Sequence, residues 1–321
     1  MRRLALIAAA TLPLAAAAQA PFSFGVFGDT PYHDREIPAV GRVLAEMAHE
    51  GVAFVVHVGD IKRGASACSD ELLRGRRALF DASPAPLVYT PGDNEWTDCH
   101  RASAGAYDPR ERLDRLRALF FDSAESLGQR TLRLARQSDD PRFGAYRKNA
   151  RWIAGNVVFV TLNIPGSNNN LGRTDSMDAE YAERMRANLA WLDQAATLAR
   201  ELARRGLAIF TQADPRFGRG AARNDGYAGL RAALRALAAD FPKPILFVHG
   251  DSHHYVLDQP LRNPHTRERL ANFTRVEVFG SPTVGWVRID VSPDGEGLFS
   301  IAPGENFRAG TWRPEVKKKL E

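Results

Sequence analysis

The sequence predicts an α/β chain built on buried, mainly parallel strands, and three observations carry that prediction. Short runs rich in Val, Phe and Ile alternate along the chain with segments of helical periodicity. The runs are apolar at consecutive positions rather than at every second one, the pattern of strands covered on both faces. Five of them end in a short polar motif: Gly28-Asp29, Gly59-Asp60, Gly92-Asp93-Asn94-Glu95, Thr211-Gln212-Ala213-Asp214 and His249-Gly250-Asp251-Ser252-His253-His254. In open α/β sheets, ligands gather at the carboxyl ends of the strands.

The elements follow in order. Residues 22–28 form the first apolar run, and residues 37–49 have helical spacing. Residues 52–58 are β-branched, residues 70–81 are helical, and residues 86–90 make a strand running into Pro91-Gly92-Asp93. Another helix is expected over 110–121, whereas the polar stretch from there to Asn149 carries no clear pattern. Strand sequence returns at 157–162. The longest helix is expected over 178–205, because Met185, Leu189, Leu192, Ala196 and Ala199 fall on one stripe, with Ser176 or Asp178 as its cap. A strand at 207–211, a helix at 227–239 and a strand at 244–248 continue the alternation. The tail differs. Residues 275–279, 285–291 and 298–301 read as antiparallel strands, with Ser292-Pro293-Asp294-Gly295 as a turn. No internal repeat or linker interrupts the series, so residues 21–321 are expected to form a single domain.

The first twenty residues have a different character. Arg2 and Arg3 precede an Ala- and Leu-rich run, and Ala18-Gln19-Ala20 has the small-x-small form of a cleavage site. Residues 1–20 therefore read as a signal peptide, and the protein as periplasmic or secreted. No later stretch approaches the roughly 20 apolar residues of a membrane span. The formal charge of +5 falls to +3 without Arg2 and Arg3. What remains is dispersed over Arg-rich helices with no basic stripe interleaved with aromatics, so nothing points to nucleic acid. Cys68 and Cys99 each follow a strand that ends in a polar motif. In an oxidising compartment they read as a disulfide, worth about 3–4 kcal/mol in the chain-entropy model. A thiolate metal site would want a close CxxC pair, which is absent.

The chemistry is expected at the strand ends. A buried carboxylate is costly unless it is paired or bound to a cation. Several of them converging at one sheet edge would repel one another, and a divalent ion relieves that repulsion.

The order and spacing of the five motifs resemble the calcineurin-like metallophosphoesterase family, which runs Asp-x-His, Gly-Asp, Gly-Asn-His-Asp/Glu, a lone late His and Gly-His-x-His. Gly59-Asp60 matches outright, and Asp29 supplies the first Asp, but Pro31 fills the first histidine position. Asp93 stands where the family has its Asn ligand, and Asn94 where it has its catalytic histidine. The late histidine is represented by Gln212 or, in a shifted register, by Asp214. His253 keeps the second histidine of the last motif, and Asp251 replaces the first.

The resemblance implies a four-layer α/β/β/α sandwich with mixed sheets and a metal-dependent phosphoesterase activity. It implies one ion held by Asp29, Asp60 and His253, and another by Asp60, Asp93, Gln212 and Asp251. Such oxygen-rich sets suit Mn²⁺, Mg²⁺ or Ca²⁺ better than Zn²⁺ or iron, which favour imidazole. The substrate would be a phosphorylated small molecule or another anion. An amide at Asn94 can donate a hydrogen bond but no proton at neutral pH, so His33, His249 and His254 are candidates to replace the missing acid. The same losses allow a second expectation, a degenerate member that binds a metal and an anion without turnover. Among the remaining polar residues, Glu95 reads as a supporting loop residue, His57 as a core histidine, and His49, His100 and His265 as surface residues. Gly166-Ser167-Asn168-Asn169-Asn170 reads as a turn that could face substrate, and Trp191 and Leu192 as core.

Overall fold

The elements of the computed structural model, which describes residues 20–218, 222–292 and 297–304, alternate as the sequence predicts. The first half holds β1 (Phe22–Phe27), α1 (Ile37–His49), β2 (Val55–His57), α2 (Asp70–Asp81), β3 (Leu87–Tyr89) and α3 (Pro109–Phe120). There follow β4 (Ala135–Arg136), β5 (Ala150–Ala154), β6 (Val157–Thr161), the single turn α4 (Gly166–Asn169) and the long α5 (Asp175–Glu201). The rest is β7 (Gly206–Phe210), α6 (Ala228–Asp240), β8 (Ile245–His249), β9 (Val256–Asp258), β10 (Phe273–Glu277), β11 (Val287–Val291) and β12 (Phe299–Pro303). Nearly all of the expected signal peptide, and most of the turn expected at Ser292-Pro293-Asp294-Gly295, lie outside the described residues.

The helices begin where side chains can satisfy the first free amides. Ser69 Oγ accepts from Leu72 N at 3.2 Å to start α2, and Asp108 caps α3 with Pro109 in its first turn. The start of α5 differs from expectation. Thr174 is its cap, accepting from Met177 N, so the helix begins upstream of Asp178.

The strands form two mixed sheets, in the orders β12-β11-β1-β2-β3 and β4-β5-β6-β7-β8-β10-β9. Strands β1 to β3 are parallel, as are β6, β7, β8 and β10, while β11 and β12 are antiparallel additions to the first sheet. Alternate residues of each strand serve different cores. Phe24 and Val26 of β1 pack between the sheets with Phe159, Phe210 and Val248, whereas Phe27 faces Leu44 and Phe80 of the helices outside. On the far side, Val158 and Ile209 pack under Trp191 and Leu192 of α5 and Leu234 of α6. Three cores between four layers make the expected α/β/β/α sandwich. They explain the continuous apolar runs, since the central strands are covered on both faces and each large buried side chain contributes about 1.5–3 kcal/mol.

Three elements differ from the sequence expectations. The unassigned stretch before Asn149 contains β4, paired antiparallel with β5, and the strand expected at 157–162 is the second arm of a β5–β6 hairpin. Gly155, at φ +55°, makes the turn between the two arms. The segment read as antiparallel at 275–279 lies in β10, which is parallel to β8 and antiparallel only to the short edge strand β9. The Cys68–Cys99 disulfide is formed. It ties the loop after β2 to the loop after β3; Cys68 N to Ala104 O (2.9 Å) joins the same two segments, and Tyr107 N to Cys99 O (2.8 Å) braces the second loop internally.

Candidate metal centre

The carboxyl ends of the two sheets meet. Asp29, Asp60 and Asp93 follow β1, β2 and β3, and Gln212, Asp251 and His253 follow β7 and β8. The amide of Asp251 donates to both carboxylate oxygens of Asp29, each at 3.1 Å, and so joins the sheets. To turn these side chains inward, the chain takes left-handed backbone at non-glycine residues: Asp29 (φ +51°), Asp60 (+58°), Asp251 (+83°) and His253 (+65°). Such conformations cost of order 1–3 kcal/mol each and cluster at functional sites.

A glycine permits the closest approach. A Cβ on Gly250 would stand 2.0 Å from Asp29 Oδ2. Gly250→Ala is therefore expected to destabilise the fold by about 1–3 kcal/mol and to weaken Mn²⁺ binding, because Asp29 must move. Chemical denaturation and a Mn²⁺ titration check this; a variant unchanged in both would remove Gly250 from the site.

The four carboxylates crowd one another. Asp29, Asp60 and Asp93 are each held well above the usual carboxylate range, first by burial and then by a neighbouring carboxylate: Asp251 for Asp29 and Asp93, and Asp93 for Asp60. Asp251 is raised as well, by burial and the charge of Asp214, against the lowering hydrogen bond from the Asp214 amide. Asp93 Oδ1 and Asp251 Oδ1 both press on the bare Cα of Gly166, where a Cβ would lie 2.6 and 2.7 Å from them. Apart from His253, whose Nε2 is 3.8 Å from Asp29 Oδ1, no basic side chain among the described residues pairs with any of the four.

Asp60 is gripped from one side. Asn94 donates its backbone amide to Asp60 Oδ1 (3.1 Å) and its Nδ2 to Oδ2 (2.7 Å), and Tyr32 Oη is 3.0 Å from Oδ2. Glu95 Oε1 accepts from Asp60 N, Gly92 N and Tyr89 Oη, so Glu95 supports the loop, as the sequence suggests. His57 is fully buried in β2 and bridges two loops. Its Nε2 donates to Thr30 O (2.9 Å) and its Nδ1 accepts from Gly59 N (3.1 Å), and burial pushes its pKa down to about 3.

On the second sheet's side, Gln212 rather than Asp214 reaches the cluster. Gln212 Oε1 accepts from Gly166 N and its Nε2 lies 3.5 Å from Asp251 Oδ1, while Asp214 contributes its backbone amide to Asp251 Oδ2 at 3.2 Å. The turn expected to face substrate does face the site. Ser167 to Asn170 all have positive φ, a conformation that Asn tolerates better than most residues. This turn brings Ser167 Oγ to 2.7 Å from Asp93 Oδ2 and 2.8 Å from Asp98 Oδ1. Asp98 is buried and held at 2.7 Å by both Arg101 and Arg173.

Sequence reasoning missed Tyr32 and Asp98, and read Ser167 only as part of a turn that could face substrate. Tyr32 lies three residues after Asp29, a spacing outside the Asp-x-His pattern, and Asp98 lies past the end of its motif. Of the histidines considered as acids, His249 is fully buried, its Nδ1 donating to Gly250 O (2.8 Å), with its pKa pushed down to about 4 by burial. His33 is half-buried and His254 exposed.

No three His, Cys, Asp or Glu side chains among the described residues form a ready-made chelating group. The donors nevertheless fit a cation. Asp93 Oδ1 is buried without a hydrogen-bond partner, and the acidic cluster has His253 as its sole basic partner among the described residues. Gln212 and Tyr32 add neutral oxygens beside the carboxylates. His253 Nδ1 lies 2.8 Å from the Ser281 carbonyl, which can only accept, so Nδ1 carries a proton and Nε2, 3.0 Å from Tyr32 Oη, is the nitrogen turned toward the cluster.

No family model matches the sequence, and no curated protein is similar to it. Solved structures are similar in fold. A dimetal phosphatase from Danio rerio superposes with a TM-score of 0.56 at 15% identity, over 89% of this chain and all of that one. PhoD gives 0.52 at 12% identity, over 90% of this chain and 70% of its own. A purple acid phosphatase from yellow lupin seeds gives 0.52 at 12% identity, over 90% of this chain but only 52% of its own. Together with the two mixed sheets packed between helices, these likenesses show that the chain has the metallophosphoesterase fold.

Proposed function

We infer that the protein is a metal-dependent phosphoesterase acting on a phosphorylated small molecule. The observation that carries this is the cluster of buried Asp29, Asp60 and Asp93 with half-buried Asp251, drawn from both sheets and paired with no basic side chain but His253 among the described residues. Asp29, Asp60 and His253 would hold one divalent ion, and Asp60, Asp93, Gln212 and Asp251 the other. The predominance of oxygen donors favours Mn²⁺, Mg²⁺ or Ca²⁺ over Zn²⁺ or iron. When bound, such ions polarise phosphoryl oxygens and make water acidic enough to attack near neutral pH.

The chain's own groups do the positioning. Asn94 fixes Asp60 through its backbone amide and Nδ2, and Gln212 steadies the turn that carries Ser167. His249 is buried and neutral near pH 7, which disfavours it as the acid. His33 and His254 flank the site in sequence and are the remaining proton donors for the leaving oxygen. Without a well-placed acid the enzyme loses about 10²–10⁴-fold, so esters with good leaving groups are the expected substrates. The disulfide and the expected leader support a location outside the cytoplasm, periplasmic or secreted.

The test is hydrolysis of p-nitrophenyl phosphate and bis-p-nitrophenyl phosphate by metal-free protein resupplied with Mn²⁺, Mg²⁺, Ca²⁺ or Zn²⁺. Turnover with Mn²⁺ is the expected result. Silence on both esters with every ion would overturn the hydrolase in favour of a protein that binds an ion and an anion only, and a clear preference for Zn²⁺ would overturn the ion assignment.

A further inference from the structure

Away from the strand ends, a cavity of about 310 Å³ lies between α3, the loop before β5 and the first turns of α5, with Arg117, Tyr146 and Glu180 in its wall. Lys148 stands behind that wall. Its side chain is fully buried, with Nζ 5.1 Å from the centroid of the Tyr146 ring, and the amine has no hydrogen-bond partner among the described residues. A buried ammonium without a partner is costly. Two carboxylates act on the amine, Glu180 and Asp114, and both are already engaged. Glu180 accepts from Arg184 Nε (2.7 Å), Arg184 Nη2 (3.0 Å) and Asn170 Nδ2 (3.0 Å), while Asp114 is paired with Arg117. Arg117 is itself left short. Its Nε is buried and also has no partner among the described residues.

Two neighbouring donors with no acceptor of their own are what a bound anion satisfies. The charges that act on the amine, Arg117 and Arg184 against Glu180 and Asp114, cancel without it. Burial, and then the charge of Arg117, hold the Lys148 amine well below its ordinary 10.5, which favours its uncharged form while the cavity is empty. One negative charge arriving together with one proton for Lys148 keeps that balance, and a multiply charged anion does not. We propose that this cavity binds a monocarboxylate, one of its oxygens accepting from Lys148 Nζ and the other from Arg117 Nε. Leu113, Ala145, Ala179 and the Tyr146 ring offer an apolar wall to the body of the ligand, so an aromatic or aliphatic acid without a second charge fits. Glu183, exposed on the same cavity, disfavours a phosphate further. The site stands whether or not the metal centre hydrolyses esters.

The experiment is a calorimetric titration of the protein with benzoate, acetate and inorganic phosphate, in two buffers of different ionisation enthalpy. EDTA is present throughout, so that no ion at the strand ends can hold the added anion. Benzoate should bind at one site and draw up to one proton per ligand from the buffer. Lys148→Met removes the amine and keeps the apolar stem, so it should fold at least as stably as the wild type. It should bind benzoate about 10–100-fold more weakly, with no proton uptake. Arg117→Met should also weaken binding, with a smaller proton uptake, because the amine loses the cation that keeps it neutral. Should Lys148→Met fail to fold, the wild-type proton count and the Arg117 variant decide the matter. A wild type that binds no benzoate at millimolar concentrations would overturn the proposal, as would unchanged binding in Lys148→Met. Phosphate bound more tightly than benzoate would overturn the assignment to a monocarboxylate.

Discussion

Asp60→Asn should lower Mn²⁺-supported turnover of bis-p-nitrophenyl phosphate by roughly 10²–10³-fold, and it should do so without harming the metal-free fold. Asp60 is the carboxylate the proposed function places between both ions, and it lies beside Asp29, Asp93 and Glu95 in a buried setting. Asparagine keeps the size and one acceptor oxygen, which can serve either the amide or the Nδ2 of Asn94 but not both, and it removes a buried negative charge. In chelator, that removal relieves repulsion from three neighbours, so the variant should unfold at a higher denaturant concentration than the wild type. With Mn²⁺ the order should reverse, since the wild type alone gains from the ion. Steady-state kinetics together with denaturation in EDTA and in Mn²⁺ would measure all of this. Turnover within tenfold of the wild type would mean that Asp60 is not the shared carboxylate.

Chelation should cost the wild type more stability as the pH rises. Asp29, Asp60, Asp93 and Asp251 all have carboxyl groups raised above their ordinary 3.8 in the folded chain, by burial first and by neighbouring carboxylates thereafter, against the lowering effect of backbone hydrogen bonds to Asp29, Asp60 and Asp251. A raised acid favours its protonated form in the fold. The stability it contributes is full below the unfolded value of 3.8 and is lost as pH climbs through the raised folded values. Metal-free protein should therefore weaken as pH rises above 3.8, whereas a bound cation stabilises the same carboxylates in their charged form. An ion present at about 100 times its dissociation constant adds about 2.7 kcal/mol, which for a chain of this size is a shift of about 5–10 °C in Tm. Thermal unfolding with Mn²⁺ and with EDTA, at pH 5 and pH 8, checks both the size and the sign. Equal Tm values in all four conditions would be the contrary result.

The parts that could be read in advance are those whose cause is local. The doubly covered strands announce themselves as continuous runs such as residues 52–58, and the stripe of Met185, Leu192, Ala196 and Ala199 turns inward as its spacing requires. A buried neutral His57 and a supporting Glu95 follow from their place within a strand and a strand-end loop. The same reasoning fails where local pattern is weak. Strand β4 is two residues long, and β9 is an edge strand with Leu257 46% exposed, so neither has the apolar run that marks a buried strand.

By itself, the sequence determined the alternation of elements, the inward stripes, the cysteine pair and which strand ends carry carboxylates. These depend on residue type and short spacing, which a linear chain states directly. Only the tertiary structure decided that Asp251, 222 residues beyond Asp29, would donate its amide to that carboxylate, and that Gln212 rather than Asp214 would face the cluster. It alone brought Tyr32, Ser167 and Asp98 to the carboxylates. Those contacts are set by how two sheets pack and by left-handed turns at their ends, and side chains meeting across that junction have no common spacing in the chain to announce them.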